Sequence, residues 1–237
     1  MAKRLLPKIL HLILLVTFTG AVFAQEADTL RVDTLKNKYL PTGIRVGVDV
    51  IALAKSHFQD DFGGWEIAAD VDFDRYLLAV EIGNWGRNFA SDSATYGNSG
   101  NYWRVGIDVN FLTKDPDRNV FFLGARYAKS VFAESMSVMR YDPVWGLLAD
   151  KFYHSDVNAS WIELTTGLKV KVWKVIWLGY TARFKFALSG DVTEEMLPAD
   201  IPGFGTADNK VTWGFNYNIM IRLPIRKATV PTSMKRS

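Results

Sequence analysis

The chain has no cysteine among its 237 residues. Disulfides and metal–thiolate centres are therefore excluded. A lipid anchor attached through cysteine is excluded as well, so a lipoprotein is not expected. If the protein resides at a membrane, its own polypeptide must hold it there.

Long apolar runs are also scarce. After residue 24 no uninterrupted run of about 18 apolar residues occurs, so no helix is predicted to span a bilayer. Yet apolar residues make up 49% of the chain and aromatic residues 14%. The apolar side chains must therefore be dispersed in a different pattern.

The first 24 residues carry the whole excess of positive charge. Lys3, Arg4 and Lys8 precede an apolar stretch, Ile9–Phe18, and the small residue Ala24 follows. This order is typical of a cleaved secretory signal peptide over residues 1–24. Without these three bases, the 28 Lys and Arg of the chain become 25, equal to its 25 Asp and Glu. A mature chain without excess charge gives no reason to expect a nucleic-acid partner.

Beyond residue 41, apolar and polar residues alternate in eight separate runs. Side chains alternate across a β-strand, so each run predicts a strand with one apolar and one polar face. In the fourth run, Trp103 and Val105 oppose Arg104 and Gly106. The runs cover residues 44–52, 65–74, 76–83, 102–111, 121–128, 162–172, 176–188 and 211–223.

The connections between the runs alternate in length. Short turns are predicted at residues 74–75, 113–119 and 173–174, and longer loops at 55–64, 86–100, 132–158 and 189–209. This asymmetry is typical of outer-membrane barrels, whose turns face the periplasm. The predicted fold class is all-β: an eight-stranded antiparallel up-and-down transmembrane β-barrel with short periplasmic turns and longer extracellular loops. It covers residues 43–225, between a periplasmic lead-in at 25–42 and a basic C-terminal tail at 226–237.

Alternation alone does not decide which face is inside, because soluble lipocalin-type barrels alternate as well, with the apolar face inward. Three features favour a membrane barrel. Large aromatic residues lie near the run ends on the apolar face, as in membrane girdles. The runs last about nine to thirteen residues, the length that a tilted strand needs to cross a bilayer. Glycine, which suits crowding in a narrow barrel, recurs on the polar face at positions 47, 83, 106, 124, 167, 179 and 214.

With the polar faces inward, charged side chains fill the lumen. Acidic residues predominate in the second and third runs and basic residues in the sixth and seventh, so opposite charges face one another. Because isolated buried charges are costly, we expect a plugged, salt-bridged lumen without an open pore. A proton or ion path along the same charges is the alternative. The predicted lumen residues are Arg45, Asp49, Glu66, Asp70, Asp72, Glu81, Arg104, Asp108, Arg126, Glu163, Lys169, Lys171, Arg183, Lys185 and Arg222.

Two short clusters contain triad-like residue types: Ser56–His57 with Asp60–Asp61, and His154–Asp156. Catalytic triads are assembled by the fold and rarely from sequence neighbours, so we predict no catalytic residue. Asp60–Asp61 lacks the spaced oxygen ligands of a calcium loop. No metal and no cofactor are therefore expected.

Two of the predicted loops are unexpectedly apolar. The first contains Pro143–Leu148, and the second contains Met196–Pro198 and Ile201–Phe204. Apolar side chains at a wet rim predict either a lid folded over the barrel mouth or contact with lipid or a partner.

In topology and alternation, residues 43–225 resemble the small eight-stranded outer-membrane barrels of the OmpA/OmpX type. Three segments, Leu40–Gly47, Ala69–Phe73 and Tyr102–Asp108, are similar to an uncharacterised barrel family from Bacteroidota-type bacteria. This resemblance implies a fold and a location but no functional residues. Many such barrels end on an aromatic residue, whereas here the last run ends near Leu223 and a basic tail follows.

The predicted function is therefore an integral protein of the cell outer membrane, non-enzymatic, with a structural or binding role through its surface loops. Outer-membrane lipid, the barrel-assembly machinery and a loop-bound protein or ligand are the expected partners of a monomer. Two alternatives stay open: an outer-membrane-embedded enzyme acting on lipid or peptide, and a secreted soluble ligand-binding barrel.

Overall fold

A computed structural model describes residues 40–73, 75–190 and 198–225. The predicted signal peptide, the tail at 226–237, Met196–Leu197 and all but the last residues of the predicted lead-in lie outside the described residues.

Ten strands and one helix make up the described chain. Eight of the strands are antiparallel and close into a barrel of order β1–β10–β7–β6–β5–β4–β3–β2, while β8 and β9 form a separate pair. The predicted all-β class with eight antiparallel strands is confirmed. The elements are β1 Gly43–Asp49, α1 Val50–Phe58, β2 Phe62–Phe73, β3 Tyr76–Ala90, β4 Ala94–Asn110, β5 Val120–Asp142, β6 Gly146–Trp173, β7 Ile176–Gly190, β8 Asp200–Ile201, β9 Gly205–Thr206 and β10 Val211–Pro224.

The barrel has two distinct ends. The connections between β2 and β3, between β4 and β5 and between β6 and β7 lie at one end, called the turn end below. They are close to the predicted short turns. The other end, called the mouth, carries α1, the turns at 91–93 and 143–145, and the segment that leads into β10.

Two of the predicted long loops are strands in the structure. The residues predicted as loops at 86–100 and 132–158 belong mostly to β3–β4 and β5–β6, which continue past the barrel wall as hairpins. The register of β3 with β4 stays continuous there, with Phe89 opposite Tyr96, whereas the pairing of β5 with β6 shifts between Phe132 and Glu134. The sequence pattern missed these extensions because polarity no longer alternates there: Val131 points outward while Phe132 is buried, although both are apolar. Toward the tips, most residues of both faces are exposed.

The first run was predicted to extend to residue 52, but β1 ends at Asp49 and α1 follows directly. The Asp49 carboxylate accepts a hydrogen bond from Ile51 N at 3.0 Å and so caps the helix. Ala52, Leu53 and Ala54 then favour helix over strand. Part of the predicted loop at 55–64 is therefore helical. Within the described residues, no helix is long and apolar enough to cross a membrane.

The polar faces of the barrel strands point inward and the apolar faces point outward. Ile107 and Leu123, for example, are each 55% exposed, whereas Arg104 and Asp108 are buried. The interior is narrow: a Cβ added at Gly106 would collide with the carbonyl oxygen of Ala125. Apolar residues inside form only small separate groups, including Leu77, Val120 and Phe122 near the turn end. The barrel therefore has a charged interior instead of a single hydrophobic core.

Candidate functional site

The interior holds most of the predicted lumen residues. Thirteen of the fifteen are buried, and Arg222 is half-buried. Together they place seven carboxylates and seven basic groups inside the barrel. The carboxylates are Asp49, Glu66, Asp70, Asp72, Glu81, Asp108 and Glu163, and the basic groups are Arg45, Arg104, Arg126, Lys169, Arg183, Lys185 and Arg222.

Lys171 is the exception, because the structure places it outside the interior. Its side chain is exposed, and its Nζ lies 3.4 Å from Asp117 Oδ1 in the connection between β4 and β5. The pairing of β6 with β7 shifts between Lys171 and Trp173, at the end of the strand. Lys171 therefore lies at the rim of the turn end, and alternation along a strand does not show where the filled interior stops.

The charges nearest the turn end form a chain of ion pairs. Arg45 lies opposite Asp70 in the β1–β2 register, and its Nη2 is 2.7 Å from Asp70 Oδ1. Lys169 Nζ lies 2.8 Å from the other Asp70 oxygen and 3.7 Å from Asp108 Oδ2. Arg126 holds Asp108 through two hydrogen bonds of 2.6 and 2.9 Å. Shared carboxylates thus connect five different strands.

The middle of the barrel contains two arginines and three glutamates. Arg104 Nη1 lies 2.7 Å from Glu66 Oε2 and 3.1 Å from Glu81 Oε2. Its Nε lies 3.0 Å from Glu163 Oε1. Arg183 Nη1 contacts Glu81 at 2.9 Å and Glu163 at 2.8 Å. Removing an ion from water costs several kcal/mol, and this multiple pairing is what offsets the cost. We call these five residues the central cluster.

Nearer the mouth, two charges are held by neutral groups. Asp49 accepts hydrogen bonds from Asn216 Nδ2 at 2.6 Å and from Tyr217 N at 3.1 Å. Lys185 Nζ donates to the carbonyl oxygens of Gly203 and Phe204, both at 2.9 Å. Within the described ranges, neither charge forms an ion pair.

The acceptors of Lys185 belong to a segment that enters the barrel from the mouth. We call residues 198–206 the plug segment. Its β8 and β9 are joined by a turn in which Phe204 N donates to Ile201 O at 3.0 Å. Pro202 precedes Gly203, whose φ is +82°, as a type II turn requires. A Cβ on Gly203 would also lie 2.6 Å from the Tyr102 ring, so glycine is needed for space as well.

The plug segment packs tightly against the barrel wall. Phe204 is 2% exposed, and its ring centroid lies 5.6 Å from that of Trp161. Arg104, in the central cluster, donates to Gly203 O at 2.9 Å. Two outcomes were predicted for the apolar loops, a lid over the mouth or contact with lipid or a partner. Ile201–Phe204 fits the lid prediction, although the segment enters the mouth instead of lying across it. Pro143–Leu148 behaves differently, since Trp145 is 77% exposed.

Asp200 anchors the outer part of the plug segment. Its carboxylate accepts a hydrogen bond from Trp85 Nε1 at 2.8 Å and lies 3.8 Å from Arg87 Nη1. Its carbonyl oxygen accepts a hydrogen bond from Asn98 Nδ2. Burial raises the pKa of the Asp200 carboxyl, although the Trp85 N–H and the Arg87 charge oppose this shift.

The triad-like clusters serve local structure. Ser56 Oγ accepts a hydrogen bond from Gly64 N, and the His57 ring packs edge-on against Phe58. His154 Nδ1 lies 3.6 Å from Glu134, whose other oxygen accepts a hydrogen bond from a tyrosine hydroxyl. Across the described part of the chain, no group of three or more His, Cys, Asp or Glu is arranged to hold a metal ion.

These features define a class: an eight-stranded antiparallel barrel with an ion-paired interior and an inserted plug. A family model described as a domain of unknown function, DUF6048, matches residues 5–228, nearly the whole chain. The protein belongs to this family. No curated protein matches the sequence.

The central cluster yields a test of stability. We expect Arg104→Met to lower the free energy of unfolding by about 3–5 kcal/mol, because three buried glutamates lose a shared partner. Urea unfolding of the detergent-folded protein, followed by tryptophan fluorescence, measures this. The control is Arg140→Met, at a 64% exposed side chain paired with Asp150, with an expected loss below about 1 kcal/mol. Equal losses in the two variants would contradict a cooperative interior cluster.

Proposed function

We propose that the protein is an integral outer-membrane barrel with a closed, charge-paired lumen, which acts through its mouth-side surface in a binding or structural role. The observation that carries this proposal is the distribution of side chains: charges inside, apolar side chains outside. A soluble ligand-binding barrel requires the reverse arrangement, because its ligand occupies an apolar interior. An apolar exterior is stable only when something other than water covers it.

Two belts of exposed aromatic side chains support a bilayer as the covering. The mouth-side belt comprises Trp65, Trp103, Tyr127 and Trp213, and the turn-side belt comprises Tyr76, Phe111, Phe121 and Trp173. Aromatic residues collect at both membrane–water boundaries. From Trp103 to Phe111, β4 rises by about 27 Å along the strand. At a tilt of about 40°, this gives a height near 21 Å, close to the apolar band of about 25 Å in such barrels.

The mouth-side surface offers features suited to recognition. The hairpin extensions of β3–β6 carry a cleft of about 450 Å³, which is lined by side chains including Phe89, Tyr96 and Phe152. The β5–β6 tip exposes Val144 and Trp145, at 79% and 77%. Exposed apolar residues on a protruding element are typical of interaction sites. A non-enzymatic role agrees with the local engagement of His57 and His154 described above.

Partners and assembly follow from the proposed location. Outer-membrane lipid would cover the apolar exterior, and the barrel-assembly machinery would insert the protein. The chain would act as a monomer, since its own strands close the sheet.

Cell fractionation tests the location. We expect the mature protein in the outer-membrane fraction, with a gel mobility that changes on boiling, because a closed barrel resists detergent until it is heated. Leu164→Arg, at an outward side chain 52% exposed, should reduce this folded fraction strongly, since a mid-bilayer arginine costs about 2–4 kcal/mol.

The matched control for this test is Tyr153→Arg, on the mouth-side extension of the same strand, which should behave as the unmodified protein does. Release of the protein by osmotic shock, without a mobility shift on boiling, would contradict the proposed location.

The closed lumen is tested by planar-bilayer recording. We expect no stable conductance steps from the purified protein, because the central cluster and the plug segment fill the interior. Reproducible unit steps would favour an ion path along the same charges.

A further inference from the structure

The plug segment occupies a cationic and aromatic recess of the barrel in the way that a ligand would. Its carbonyl oxygens at Gly203 and Phe204 together accept two hydrogen bonds from Lys185, and Gly203 accepts a third from Arg104, all at 2.9 Å. Its Phe204 ring contacts the aromatic wall at Trp161 and Tyr102. The segment thus presents two neighbouring oxygens to cations and a buried ring beside them. A ligand with a carboxylate and an apolar body would present the same groups.

Charge favours such a ligand over the resident segment. Lys185 is 6% exposed, and among the described residues its Nζ bonds only to neutral carbonyl groups. A buried ammonium is stabilised more by a carboxylate than by amide oxygens, because the attraction between opposite charges adds to the hydrogen bond in a site of low dielectric constant. Glu163 lies opposite Lys185 in the β6–β7 register, but its oxygens are engaged by Trp161, Arg104 and Arg183. Among the described residues, Lys185 therefore forms no ion pair.

The barrel does not need the plug segment for its closure. β7 pairs directly with β10 over eleven residue pairs, from Val211 opposite Phe186 to Ile221 opposite Ile176. The segment connects these two strands from the mouth side and pairs only with itself, through β8 and β9. It can therefore leave the recess without breaking a barrel ladder.

We propose that the recess around Lys185, Arg104, Tyr102 and Trp161 is a binding site for a carboxylate ligand with an aromatic or aliphatic body. Residues 202–204 occupy this site until such a ligand displaces them. The ligand approaches through the mouth. The site itself does not depend on the proposed membrane location; only the compartment that supplies the ligand does.

The test measures binding of 4-phenylbutyrate to the folded protein in detergent by titration calorimetry. Phe204→Ala removes the competing ring and should bind the probe about tenfold tighter or more than the unmodified protein, because the open state is populated more. Thr206→Ala, an exposed position of the same segment, should leave binding unchanged. The neutral analogue 4-phenylbutanol should bind at least about tenfold more weakly than 4-phenylbutyrate.

The cation is tested in the Phe204→Ala background. Lys185→Met should weaken 4-phenylbutyrate binding about tenfold or more, whereas Lys151→Met, at an exposed lysine of the mouth-side wall, should not. Every variant is first checked for a mobility shift on boiling.

A measurement on the unmodified protein avoids any failure to fold. Saturating 4-phenylbutyrate should expose the segment to chymotrypsin cleavage after Phe204, identified by fragment mass, and 4-phenylbutanol should not. Binding that is independent of Phe204 and Lys185, or a segment that stays protected at saturation, would overturn the site and leave the segment as a structural plug. Because binding is measured on folded protein in detergent, this outcome is distinct from failure of the membrane location.

Discussion

The structure depends on the pairing of charges in a space too narrow for bulk water. Seven carboxylates and seven basic groups share the interior, so each must find a partner of opposite charge or a dense set of hydrogen bonds. Strand register supplies these partners: Arg45 lies opposite Asp70, and Glu81 lies opposite Arg104. A slip of one residue would turn the charges outward and the apolar side chains inward. The pairing of charges inside and the outward placement of apolar side chains therefore specify the same register.

The same constraint accounts for the mouth. Lys185 forms no ion pair among the described residues, because the Glu163 carboxylate opposite it is engaged by Arg104 and Arg183. Backbone carbonyl groups of the plug segment accept the hydrogen bonds of Lys185 instead. The type II turn at Pro202–Gly203 orients these carbonyl groups inward. The apolar side chains of the segment then pack on the aromatic wall above the central cluster. The plug segment is thus held in the mouth by two buried cations and by the aromatic wall.

Much of the barrel could be predicted because the two faces of each strand lie in different environments. Polar and apolar residues therefore alternate along the strand with a period of two. That pattern gave the eight strands, and fourteen of the fifteen predicted lumen residues lie in the interior. It failed where the two faces are alike or where the strand is irregular. Where β5 extends beyond the barrel, the outward Val131 and the buried Phe132 are both apolar, and toward the tip most residues of both faces are exposed. Lys171 lies near the end of β6, just before a shift in register. Helix α1 depends on a local cap at Asp49. The plug contacts depend on main-chain oxygens, which every residue carries, so no side-chain pattern could reveal them.

The central claim is that lipid covers the apolar face and that the charged face is sealed from it. Single-tryptophan variants that retain either Trp103, 40% exposed on the outer face, or Trp161, 1% exposed inside, test it directly. Each would be placed in bilayers containing lipid brominated in its acyl chains, which quenches fluorescence only on contact. We expect strong quenching of the Trp103 fluorescence and little quenching of the Trp161 fluorescence. Quenching of Trp161, or none of Trp103, would contradict it.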